Sequence, residues 1–142
     1  MTRIVLENKE CKPFKEHRFD AGWDLRANEE TFTLVPGEKK EVHTGVRIAI
    51  PPKCAGLIVP RSGLGTKYRV GLANVVGVID ADYRGEIIVW LVNDGIEDLI
   101  IEKYDRFCQL IIASINISPF EIVKALPHSS RGEDGFGSSG GK

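Results

Sequence analysis

Asp80 closes the apolar run Val75-Val76-Gly77-Val78-Ile79 and opens the polar stretch Ala81-Asp82-Tyr83-Arg84-Gly85. A carboxylate at the end of a buried strand is rigidly aimed, which suits a group that orients a water molecule and takes its proton. On local sequence alone, an Asp in such a turn more often accepts N–H bonds from its own loop. Four further polar segments interrupt the chain: Ala21-Gly22-Trp23-Asp24-Leu25, Pro60-Arg61-Ser62-Gly63-Leu64-Gly65, Asp105-Arg106-Phe107-Cys108-Gln109-Leu110 and Arg131-Gly132-Glu133-Asp134-Gly135-Phe136-Gly137-Ser138-Ser139-Gly140. Backbone N–H groups in a turn containing Gly63, with the Ser62 hydroxyl, can form a concave anion cradle, and Arg61 adds charge-assisted hydrogen bonds. Gln109 sits between apolar neighbours and is either a strand-face residue or a donor aimed into a pocket. Tyr83 can stack beneath a sugar ring or pack on its own hairpin with its hydroxyl in water. In the last segment, glycines permit close backbone approach to phosphate, Arg131 carries fixed charge, and Phe136 offers a ring to a base. This is not a Walker A loop, because the required spacing is missing and no helix can follow. Together the five segments suit holding a nucleoside polyphosphate and delivering water to it, a task beyond any one of them.

The elements that must position these residues are strands. In Glu41–Ile50, positions 42, 46, 48 and 50 are apolar and alternate with Glu41, His43 and Arg47, with Thr44 on the apolar side. That is the period of a half-buried strand. Ile87-Ile88-Val89-Trp90-Leu91-Val92 is apolar on both faces and predicts a central or an interface strand. Further strands are expected at 3–7, 31–35, 55–59, 72–79, 99–102, 107–114 and 120–125, with one helical turn at most near 62–68. Pro36-Gly37, Pro51-Pro52, Pro60, Asn93-Asp94-Gly95 and Ser118-Pro119 punctuate the runs. Short strands so closely spaced imply an all-β sandwich, jelly roll or barrel. The composition changes after Pro127, where Ser, Gly and charge take over and Phe136 is the one apolar side chain left. Residues 1–127 are therefore expected to form the domain, and 128–142 an arm that is mobile when empty, because it has too little to bury against its ordering cost.

At 142 residues the chain can support one domain with a true core. A net charge of −1 speaks against broad attachment to nucleic acid or to an anionic membrane. No apolar run approaches the length of a membrane span, and Glu7 and Lys9 arrive too early for a signal-peptide core. Cys11, Cys54 and Cys108 are odd in number and far apart, which fits reduced thiols in a cytoplasmic setting better than disulfides. His17, His43 and His128 are equally scattered, so no zinc-ligand spacing occurs.

Taken in order, the five segments resemble the five motifs of the trimeric dUTPase family, over residues from about 21 to 140. The resemblance implies an all-β, jelly-roll-like barrel subunit with a flexible C-terminal arm, assembled as a homotrimer with shared active sites. It implies conversion of dUTP to dUMP and pyrophosphate with Mg2+, which limits uracil in DNA and supplies dUMP for thymidylate synthesis. By that resemblance Asp80 is the base that activates water for attack at the α-phosphorus. Tyr83 lies under the deoxyribose and excludes ribonucleotides, and Asn74 matches a position that pairs with uracil in some members. Arg61, Ser62 and Gly63 hold phosphate, as does Gln109. Asp24 acts on the metal through its water shell, and Arg131, Phe136, Gly137, Ser138 and Ser139 belong to the arm that closes over the nucleotide. The protein would be cytoplasmic (in a host's cytoplasm if viral), with neither stable nucleic-acid binding nor a membrane partner. Mg2+ retains waters and prefers oxygen ligands, so a triphosphate can carry it without a protein cage.

Three positions depart from the family pattern. Trp23 replaces a usual Tyr, Asp134 a usual glycine in the arm, and Tyr104 a common turn glycine before Asp105. Two other functions remain on the same fold. The related dCTP deaminases need a glutamate near the position of Trp90, which cannot shuttle a proton. A non-catalytic interaction module is the second, because fold alone does not determine function.

Overall fold

Alternation of buried and exposed side chains decides most of the architecture. The computed structural model describes residues 1–133 and 135. These form strands β1 (Arg3–Leu6), β2 (Trp23–Arg26), β3 (Phe32–Leu34), β4 (Lys39–Ala49), β5 (Cys54–Pro60), β6 (Val70–Leu72), β7 (Gly77–Ile79), β8 (Glu86–Asn93), β9 (Leu99–Ile101) and β10 (Arg106–Ser114). A short helix, α1 (Ser62–Tyr68), follows β5. Two four-stranded antiparallel sheets, ordered β1-β4-β8-β6 and β2-β10-β5-β7, are joined by the two-stranded β3-β9 ribbon. Val42, Val46 and Ile48 from β4, Ile87, Val89 and Leu91 from β8, Leu25 from β2, Ile58 from β5 and Leu110 from β10 fill the space between them. The expected all-β architecture is what the chain adopts.

β4 alternates as expected until His43. There the register with β8 shifts, so that residues 44–46 lie between the pairs His43–Ile88 and Arg47–Glu86. Gly45 takes φ +66°, and a Cβ on it would come within 2.5 Å of Cys11 Sγ, so the bulge needs glycine twice over. Thr44 is fully buried there, and its hydroxyl donates to the Ile87 carbonyl at 2.7 Å. Glu86 fastens the other side: Oε1 accepts the Gly45 N–H at 2.7 Å and Oε2 meets His43 Nδ1 at 2.9 Å.

Three expectations are corrected. The run 72–79 is two strands in different sheets, broken by a turn in which Val75 adopts φ +65°. Val75 and Val76 look like strand residues but are 76% and 40% exposed, so the apolar run hides a turn. Residues 23–26, not expected as a strand, form β2 because β10 gives them an antiparallel partner. Residues 120–125 form no strand: Phe120 and Ile122 are 101% and 99% exposed, and among the described residues regular structure ends at Ser114. A strand needs a neighbour to satisfy its N–H and C=O groups, and the described residues supply none there. Tyr104, in the place of a turn glycine, takes φ +67° and is held by its N–H to Ala27 O at 2.7 Å and by Arg26 Nη1 donating to its carbonyl at 3.0 Å.

The His43–Glu86 pair makes stability depend on pH. The hydrogen bond that the His43 imidazole donates to Glu86 holds His43 above its ordinary value of 6.5. Burial pushes Glu86 upward, but the bonds from His43 and Gly45 and the nearby positive charges outweigh it and leave Glu86 below 4.5. A raised histidine stabilises fully below 6.5 and loses that contribution as pH climbs through its folded value; the depressed glutamate stabilises above 4.5 and loses it on acidification. The contribution therefore peaks between those limits. Urea midpoints should fall from pH 6 to pH 8, and His43→Gln should flatten that decline.

Candidate active site

The register of the second sheet brings three of the five segments together. Gln109 of β10 pairs with Asp24 of β2 on one side and with Val59 of β5 on the other. Directly opposed residues share a face, so Asp24, Gln109 and Val59 form a row across the sheet, and Arg61 follows two residues beyond Val59. Asp24 Oδ2 lies 3.3 Å from both Arg61 Nε and Arg106 Nη1. Arg61 Nη1 in turn donates to the Arg106 carbonyl at 2.9 Å. Phe14 pairs with Asp24 through reciprocal backbone bonds of 2.9 and 2.8 Å, and its ring faces the Arg106 guanidinium at 4.6 Å. Ser62 and Gly63 open α1, where the first N–H groups of a helix lack acceptors within it.

Two adjoining hollows share Asp24, Arg61 and Gln109. One, of about 340 Å³, adds Ser62, Gly63 and Lys67; the other, of about 370 Å³, adds Lys15, Gly22 and Arg106. A larger depression of about 670 Å³ against Lys12–Arg18 and Trp23 contains none of the expected site residues.

Asp80 and its neighbours lie elsewhere. β7 runs antiparallel to β5 with Ile79 opposite Gly56 and Gly77 opposite Ile58. Asp80 thus leaves the sheet beside the start of β5, whereas Arg61 follows its end. The five residue rises from Gly56 to Arg61 amount to roughly 16 Å. Asn74, in the turn between β6 and β7, lines a third hollow of about 410 Å³ with Ala73, Val78, Ile79, Ile88 and Trp90. Its turn is held by Val75 N–H to Leu72 O at 2.9 Å and Val76 N–H to Asn74 O at 2.7 Å. The Asp80 turn is closed by Tyr83 N–H to the Asp80 carbonyl at 3.2 Å and by Arg84 Nη1 to Ala81 O at 2.8 Å. Among the described residues the exposed Asp80 carboxylate accepts none of the turn's N–H groups, so the Asx-turn alternative is not the one adopted.

Arg131 lies on the exposed segment beyond Ser114, in a turn where Gly132 N–H bonds to Ser129. Phe136, Gly137, Ser138 and Ser139 lie outside the described residues, as does Asp134. Among the described residues no cluster of three His, Cys, Asp or Glu side chains is placed to hold a metal ion, and no helix is long and apolar enough to cross a membrane.

The dUTPase family model matches residues 10–140, which takes in all five segments. The chain belongs to the dUTPase family. It is 42% identical over 140 residues to the deoxyuridine 5'-triphosphate nucleotidohydrolase of Corynebacterium glutamicum, covering 97% of this chain and 93% of that one. The enzyme of the same name from Escherichia phage T5 is 40% identical, with both chains covered in full. Among solved structures, the dUTPase of Staphylococcus bacteriophage 80alpha with dUPNHPP superposes with a TM-score of 0.89 at 30% identity, covering 99% of this chain and 98% of that one.

Within this dUTPase two neighbours of the site escaped the sequence reading as site residues. Arg106 lies in the quoted segment, yet nothing in sequence tells that β10 carries it to Asp24. Gly22 is needed where it is: a Cβ there would come within 2.6 Å of Gln109 Oε1 and 3.1 Å of Gln109 Cβ. A glycine two residues before a site carboxylate is the one available hint. Gly22→Ala should displace the Gln109 side chain, read as a shift of its amide NMR signals, while the melting temperature stays within a few degrees. Unmoved Gln109 signals would contradict the contact.

Proposed function

We propose that the chain hydrolyses dUTP to dUMP and pyrophosphate through attack of water on the α-phosphorus. The observation that carries this reading is the dUTPase match across residues 10–140, with every polar segment inside it. In this scheme Asp80 accepts the proton of the attacking water. Arg61, Ser62, Gly63 and Gln109 hold phosphoryl oxygens, for which a half-buried guanidinium, the first N–H groups of α1 and a side-chain amide are suited donors. Asn74 and the turn around it take the uracil, and Tyr83 lies beneath the sugar. Arg131, Phe136, Gly137, Ser138 and Ser139 close over the nucleotide and exclude water, the usual service of a lid. The arm, as proposed, comprises residues 128–142.

Mg2+ carried on the triphosphate would supply charge neutralisation of its oxygens. The donor set suits that form of delivery. Asp24 is the carboxylate at the phosphate row, and with Oδ2 against two guanidiniums it is fitted to accept from a metal-bound water and not to complete a protein cage.

The site as proposed is completed by further copies of the chain, in a homotrimer. A general base reaches its proton directly or through one water, yet Asp80 and the Arg61–Gly63 segment stand at opposite ends of β5. Val78, Ile88 and Trp90 around the Asn74 hollow are 62%, 40% and 49% exposed. Phe120, Ile122 and Leu126 on the chain after Ser114 are more exposed still. Apolar surface of this kind supports burial against a second copy. The setting proposed is cytoplasmic. Deamination of dCTP gains no support, since the position that would need a glutamate is Trp90 in the wall of the Asn74 hollow.

Pyrophosphate release from dUTP with Mg2+ tests the reaction, and the absence of turnover with retained nucleotide binding would favour a non-catalytic module. Asp80→Asn should lower kcat by about 10²–10⁴-fold, the scale for a lost general base, with little change in dUTP binding. Near wild-type turnover would remove Asp80 from the mechanism. Ending the chain before Arg131 should abolish most turnover and leave the melting temperature unchanged; retained activity would show the arm to be dispensable.

A further inference from the structure

Gly85 lies just beyond the Asp80 turn and is not in the left-handed region of backbone space. Its backbone conformation would therefore accept any residue. The space beside it would not. A Cβ at Gly85 would stand 2.2 Å from Tyr83 Oη, 2.4 Å from Cζ and 2.8 Å from Cε2. The phenol ring is folded forward along the chain, over the position a Gly85 Cβ would take. Its hydroxyl donates to the Glu86 carbonyl at 2.9 Å. The root of the side chain is also fixed, because Arg84 Nη1 donates to the Tyr83 carbonyl and to Ala81 O, each at 2.8 Å. Glu86, which receives the hydroxyl, is itself secured by the Gly45 N–H and His43. Tyr83 remains 43% exposed, so contact holds one side of it and leaves another open.

We propose that Gly85 is a positioning residue for sugar selection: its missing Cβ lets the Tyr83 ring seat against the chain as a fixed floor, and a 2′-hydroxyl is excluded only while that floor stays in place. The inference rests on the role given to Tyr83 under the proposed function. The atoms a Cβ would strike are the far end of one side chain, so an added methyl moves the ring and spares the fold. The ring would have to swing away from Gly85 and give up its bond to Glu86. That displaces the surface on which the deoxyribose rests, and misplacement of a substrate-positioning group by about 1 Å can cost around 10²-fold.

The chain has three tyrosines, Tyr68, Tyr83 and Tyr104. Labelling the full-length protein with 3-fluorotyrosine gives a fluorine spectrum in which Tyr83→Phe identifies the Tyr83 signal. Gly85→Ala should shift that signal in the free protein and leave the other two in place. It should lower the ratio of kcat/KM for dUTP over UTP by at least about 10-fold. In a Tyr83→Ala background the same substitution should change the ratio by less than about twofold, since residues that act through one another are not additive. A Tyr83 signal unmoved by Gly85→Ala would overturn the positioning role. A moved signal with an unchanged ratio would overturn its link to sugar selection, as would an equal loss in the Tyr83→Ala background. If Tyr83→Ala alone left the ratio unchanged while Gly85→Ala moved the signal, the role given to Tyr83 would fail, and the contact alone would stand.

Discussion

Strand β5 is paired on both edges, and those two registers govern what one chain can and cannot do. On one edge, β10 places Gln109 beside Val59 and, through β2, brings Asp24 into the same row. On the other edge, antiparallel β7 carries the chain away from that row and releases Asp80 near the start of β5. A one-residue slip in either pairing would turn every side chain to the opposite face, so both registers are pinned by the core residues Ile58 and Leu110 on the inner side. The proposed phosphate row and the proposed base are thus fixed by the same strand, at opposite ends of it. Burial of apolar side chains holds the two halves of the proposed site apart as firmly as it holds each half together.

Close approach, more than backbone freedom, explains Gly22 and Gly85. Gly22 admits the Gln109 amide and Gly85 admits the Tyr83 ring, both without a left-handed φ. Gly45 serves both needs and anchors Glu86, whose carbonyl in turn holds Tyr83. The pH-sensitive pair His43–Glu86 is in this way connected to the proposed sugar platform through one residue. Where glycine is absent from a left-handed turn, as at Tyr104, local hydrogen bonds to Ala27 and from Arg26 maintain the geometry.

Much of this was legible in the sequence, and unevenly so. The half-buried strand containing Val42, Val46 and Ile48 was visible because its apolar residues alternate. The chemistry of the five segments was visible because carboxylate, guanidinium, amide and hydroxyl are informative types. The break at Val75 was not, because β-branched residues rarely occupy a positive φ and nothing marks one that does. β2 was missed because Trp23–Arg26 is too short to show a period. The pairing of Arg106 with Asp24 is a fact of strand register between distant segments. The strand expected at 120–125 has the composition for one and lacks a partner among the described residues, which composition cannot express.

Mixing of inactive subunits tests the central claim most directly, that Asp80 of one copy serves the phosphate row of another. Asp80→Asn and Gln109→Ala chains, co-refolded in equal amounts and with mixed oligomers verified by native mass spectrometry, each lack one half of the site. If halves from different copies combine, the mixture recovers dUTP hydrolysis, up to about a quarter of the wild-type rate for random assembly of symmetric oligomers. A mixture of verified hetero-oligomers as inactive as its two parents would contradict the account.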